Sequence, residues 1–124
     1  MTTTERVVIN ERIDAMVGSR EENERKFSTL DIGERIKARE KYNNLRDKLM
    51  KIAEKNGEKA LTLTIVDCGK ESRGVTASGK KFIWIQNQGM ETRSRYCGSL
   101  YIENIGTVFT SGTVAKVFEY VLNN

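Results

Sequence analysis

The hydrophobic pattern of this 124-residue chain changes period near residue 60, and that change limits the folds open to it. Before Ala60 the apolar residues recur at helical spacing; from Leu61 they alternate. Helices followed by strands of comparable total length make an α+β domain rather than a βαβ repeat.

The long helical pattern spans residues 29–56. Ser28 stands at its N-cap, with Asp31 three positions on to complete a capping box. Phe27 and Ile32 form a hydrophobic staple, and Gly57 supplies the stop. Ala38, Tyr42, Leu45, Leu49 and Ile52 form a narrow seam at spacings of four and three. At ~1.5 Å per residue the helix is roughly 40 Å long, so this seam either packs on the chain's own sheet or overhangs it and forms a homodimer. Ahead of it, Ile9, Ile13, Met16 and Val17 mark a short helix over 4–17, with Thr4 as cap and Gly18 as stop. Residues 19–26 (SREENERK) lack an apolar anchor and read as a linker or a frayed helical extension. The expected division is therefore 1–28, a short helix with its linker, and 29–124, one α+β domain.

Leu61, Leu63 and Ile65 begin a strand that ends at Cys68-Gly69. Residues 74–77 and 80–86 make a hairpin around Ser78-Gly79. Phe82 and Trp84 face one way and Ile83 and Ile85 the other, as in a central strand. A strand over 91–97, a bulge at Gly98, a strand over 99–103 with Leu100 and Ile102 inward, a turn at Asn104-Ile105-Gly106 and a last short strand over 107–110 follow. Val114, Val117, Phe118, Val121 and Leu122 define a closing amphipathic helix capped by Thr110 or Ser111, which must cover one face of a four- or five-stranded antiparallel sheet.

Composition narrows the chemistry. The chain has no histidine and two cysteines, and carries a formal net charge of +4. Without imidazole the commonest general base and metal ligand is missing. Cys68 and Cys97 lie too far apart for a CxxC site and are expected as small buried thiols on neighbouring strands. No metal or cofactor motif is present. Asp67, Glu71, Glu91 and Glu103 leave a metal-dependent nuclease as a minor alternative, which requires Asp67 to meet Glu91 or Glu103. Residues 109–113 (FTSGT) lack the P-loop pattern and read as ordinary capping. The absence of an apolar segment long enough to span a bilayer, or of a signal-type start, points to the cytoplasm.

What remains is binding. Lys70, Arg73, Lys80, Lys81, Arg93 and Arg95 interleave with Phe82, Trp84, Tyr96 and Tyr101. Cations fix phosphates and aromatic faces stack bases, so the pattern suits DNA or RNA. Arg93 and Arg95, about 7 Å apart on one strand face, are placed to bridge successive phosphates. The expected contact set is Lys70, Arg73, Lys80, Lys81, Trp84, Arg93, Arg95, Tyr96 and Tyr101. The alternative is a small adaptor or inhibitor of a phage or mobile-element kind, acting on a host or defence protein complex by surface complementarity.

Overall fold

Small capping side chains decide where all but the shortest of the described helices begin in the computed structural model, which describes residues 1–68, 71–86 and 96–124. Thr2 and Glu5 form a capping box, each side chain 3.1 Å from the other's backbone nitrogen, and open α1 (Thr3–Val17). Gly18, at φ 84°, closes it. Ser19 then caps a second helix, α2 (Arg20–Phe27), where a linker or frayed extension was expected. Its anchors are Phe27, buried at the far end, and Asn23, whose buried amide donates to Val17 O (3.1 Å) and Ser19 O (3.0 Å).

The long helix, α3 (Ile32–Asn56), starts three residues later than its spacing predicts, because Ser28 closes α2. Asp31 is itself the cap, accepting from Glu34 N at 2.9 Å. Ile32 is 76% exposed and staples nothing. Arg35 instead ties the α2–α3 turn by donating to Ser28 O (3.0 Å) and Leu30 O (3.2 Å). Tyr42, Leu49 and Ile52 lie in the core and Leu45 packs against it, so the seam is satisfied within the chain. Residues 61–62, expected as strand, belong to a one-turn helix, α4 (Glu58–Thr62); the turn buries Ala60, and Leu63 follows it into the core.

Five strands follow: β1 (Thr64–Asp67), β2 (Glu71–Val75), β3 (Lys81–Gln86), β4 (Cys97–Ile102) and β5 (Gly106–Thr113). They pair in sequence order, each antiparallel to the next, so β3 is central as its two apolar faces imply. The β2–β3 turn falls at Ser78-Gly79, with Gly79 at φ 95°. The turn at residues 104–106 forms as expected, with Asn104 at φ 67° and Gly106 at φ 92°. β5 is longer than its expected four residues, and the register against β4 slips twice, between Gly98 and Leu100 and between Leu100 and Tyr101. The expected irregularity at Gly98 is therefore present. A Cβ on Gly98 would stand 2.1 Å from Ile85 O, so only glycine allows the strands this close.

The chain ends in α5 (Val114–Asn123), capped by Thr113 rather than by Thr110 or Ser111. It packs against β4, β5 and α3, while α1 lies along β1 and also meets α3. Ala77 N–H donates to Val121 O (2.9 Å) and fastens α5 to the β2–β3 turn. Ile9, Ile13, Met16 and Val17 of α1 share one buried cluster with Phe82, Trp84, Leu100, Phe118 and Leu122.

The end of α1 is the most heavily bonded point of that interior. Its last carbonyls have no intrahelical donors. Ala15 O takes the Ser72 hydroxyl (2.7 Å) and Gly18 O takes the Tyr42 hydroxyl (2.6 Å). Arg46, 4% exposed on α3, reaches Asp14 Oδ1 at 2.6 Å, Tyr42 Oη at 2.9 Å and Asn10 Oδ1 at 3.0 Å. Its guanidinium also lies 5.6 Å from the Tyr42 ring centroid, and a cation at a helix C-terminus opposes the macrodipole.

Removing a buried ionic donor strands its acceptors, so Arg46→Ala should lower the unfolding free energy by about 2–3 kcal/mol in urea denaturation. Arg6→Ala, which deletes the exposed Arg6–Glu54 pair (3.0 Å), should cost less than about 1 kcal/mol. The bidentate Arg39–Glu24 pair, with both contacts at 2.8 Å, gives a pH signature. Hydrogen bonding from the Arg39 guanidinium holds the Glu24 carboxyl below its ordinary pKa. Its contribution is thus present above the unfolded-state pKa and lost as pH falls through the folded one. A carbon-detected NMR titration should place the Glu24 midpoint below the usual glutamate value, and Arg39→Gln should raise it.

Candidate binding face of the sheet

Alternation along the strands gives the sheet two unlike faces. Ile65, Ser72, Phe82, Trp84, Leu100 and Ile102 point toward the helices and are buried. On the opposite face the register aligns Val66, Arg73, Ile83 and Tyr101 in one row across β1 to β4. Among the described residues no element covers this row: Val66 is 55% exposed, Tyr101 is 38% exposed and Ile83 is partly exposed. Ile85 and Val75, both partly exposed, extend the apolar surface to either side.

The charges on this face come in pairs of opposite sign. Arg73 bonds the neighbouring Glu71 through Nε (3.0 Å) and Nη2 (2.9 Å), both to Oε2. Lys81, at the start of β3, and Glu103, just past the end of β4, stand side by side, and Glu103 backbone N–H donates to Lys81 O at 2.9 Å. Together with Ile83, Tyr101 and Ile102 they line a shallow depression of about 300 Å³. The described part of the face is therefore balanced in charge, although the whole chain carries +4.

The residues expected to bind nucleic acid divide into three groups. Arg73, Lys81 and Tyr101 lie on the open face, and Lys80 is exposed in the turn before β3. Trp84 (1% exposed) and Tyr96 (7%) belong to the core and offer no ring to a surface ligand. Their positions follow from strand parity in Trp84, which shares a face with Phe82, and from packing in Tyr96, whose ring stands 6.5 Å from that of Tyr42. The Trp84 indole N–H is buried without a hydrogen-bond partner, a desolvation cost that the packing of the ring has to offset. Lys70, Arg93 and Arg95 lie outside the described residues, as do Glu91 and residues 91–95 of the strand expected over 91–97.

Cys68 is exposed beyond β1 and Cys97 opens β4. Two strands separate them, so they are not the neighbouring buried pair that was expected. Asp67 and Glu103 sit at opposite ends of the sheet, Asp67 opposite Ser72 and Glu103 beyond Ile102. Among the described residues no three or more Cys, Asp or Glu side chains are grouped to hold a metal ion, and no helix is long and apolar enough to cross a membrane. Comparison with protein-family models, curated proteins and solved structures finds no match to this chain.

Val66, Ile83 and Glu103 were not singled out by the charge-and-aromatic pattern. The available signal was the second apolar face of β3, Ile83 with Ile85, which needs either a second covering layer or a partner. Because Trp84 is the only tryptophan, emission reports its burial directly. Native protein should fluoresce at short wavelength and resist acrylamide quenching, and ligands added to the open face should leave the spectrum nearly unchanged. Red-shifted, readily quenched emission would contradict this placement.

Proposed function

We propose that this chain is a non-catalytic binding protein that docks a protein surface against the uncovered face of its sheet. The observation that carries the proposal is the cross-strand row Val66–Arg73–Ile83–Tyr101, apolar at three of four positions and bordered by matched charges. Apolar centre and polar rim are the ordinary anatomy of a protein interface. A phosphate backbone instead asks for unpaired cations, and Arg73 is already paired with Glu71. Nucleic-acid binding, the first expectation from the sequence, becomes the second reading, supported by adjacent Lys80 and Lys81 near exposed Tyr101 and by the sequence proximity of Lys70, Arg93 and Arg95.

Ile83→Glu separates the two, with Ile36→Glu on the exposed side of α3 as control. Tagged wild-type protein and the control should retain the same bound protein, and Ile83→Glu should lose it by tenfold or more while keeping native Trp84 emission. Labelled single- and double-stranded oligonucleotides should show little binding at about 50 mM salt. Tight oligonucleotide binding that collapses between about 50 and 200 mM salt and ignores Ile83→Glu would overturn the protein-docking proposal.

A further inference from the structure

We infer that the occupant of the open sheet face is a second copy of this chain. The inference rests on the docking role proposed above and names its partner. What singles out a second copy is the self-complementarity of the face about a line running along the strands between β3 and β4. Tyr101 stands opposite Ile83 across that line, and Glu103 follows the neighbouring position opposite Lys81. A two-fold axis along the line sets Ile83 of each copy over Tyr101 of the other. The same operation sets each Lys81 over the other copy's Glu103, so both ionic contacts pair opposite charges.

An isologous interface requires each contact to occur twice, and this arrangement meets that requirement without an unmatched charge at its centre. Two sheets packed face to face lie about 10 Å apart, a gap that side chains of isoleucine and tyrosine size fill from both sides. The balance of charge on the described part of the face also matters, because a surface carrying the chain's overall surplus of +4 would repel its own copy. The shallow depression lined by Lys81, Ile83, Tyr101 and Glu103 lies on the proposed axis, with the two contacting side chains, Ile83 and Tyr101, on either side of it.

The extent of the face sets the strength. On this axis four strands of each copy overlap, and at ~4.8 Å per strand with three side-chain rows at ~6.8 Å they give a projected footprint of roughly 400 Å². This is well under the ~800 Å² per partner of a standard interface, so the dimer is weak, with a dissociation constant in the range of about 10 µM to 1 mM.

Sedimentation velocity over that concentration range tests the inference. The wild type should shift from a 14.1 kDa monomer toward twice that mass. Lys81→Glu alone and Glu103→Lys alone each oppose like charges and should stay monomeric, with thermal melts reporting that they are folded. The double variant Lys81→Glu/Glu103→Lys should dimerise again, and an equimolar mixture of the two single variants should form a heterodimer, since every cross-contact in it pairs opposite charges. A wild type that remains monomeric to about 1 mM overturns the inference. So do single reversals that still dimerise, or a double variant that does not recover. The docking proposal fails on separate evidence, namely when Ile83→Glu retains whatever protein the wild type captures.

Discussion

The structure depends on how the half-buried C-terminal end of α1 is satisfied where it meets α2, α3 and β2. A helix that ends inside a protein leaves carbonyls whose desolvation must be answered by donors. Here the donors come from three other elements: Asn23 on α2, Tyr42 and Arg46 on α3, and Ser72 on β2. Each fixes its own element relative to α1, so one helix terminus sets the position of the helical layer and registers it on the sheet. The Arg46 guanidinium is central because it bonds Asp14, Asn10, Tyr42 and Gly18 at once, and no apolar residue of similar volume replaces four acceptor contacts.

That arrangement places α1 and α5 on one side of the sheet. α1 spans the β1 end, α5 the β4–β5 end, and α3 packs against both. A single helical layer suffices to bury Phe82, Trp84 and Leu100, but among the described residues no second layer covers the other face of the strands. Antiparallel sheets commonly carry polar residues on such a face. This one carries Val66, Val75, Ile83, Ile85 and Tyr101, and the mismatch between apolar composition and exposure is the physical basis for reading it as an interface.

Much of the fold was legible because local chemistry and tertiary packing agree. Gly18 and Gly57 end their helices, the hairpin turns at Ser78-Gly79, β3 is central, and the period-3.6 pattern of the last helix is buried as expected. Where sequence and structure part, competing local signals are responsible. Ser28 and Asp31 are both good caps, and the burial of Phe27 at the end of α2 decides in favour of Asp31. Leu61 and Leu63 alternate like a strand, yet the turn after Gly57 takes up residues 58–62 to bury Ala60. Arg46 drew no notice because one arginine among many on a charged helix gives no sign of burial. Its role arises from the 32-residue separation to Asp14, which periodicity does not encode.

The binding face was half legible for a related reason. Charge and aromatic content identify a stretch of chain but not the side on which each residue falls, and a shift of one position along a strand exchanges buried for exposed. Trp84 and Ile83 are neighbours in sequence with opposite fates, and the smaller aliphatic residue reaches the surface. Cations likewise read as free until the register shows what stands beside them. Arg73 belongs to Glu71, and Lys81 shares its end of the face with Glu103. Once those pairs are accounted for, the chain's positive surplus lies away from the described face. What that face offers is shape, apolar area and alternating charge, the features on which the protein-docking proposal rests.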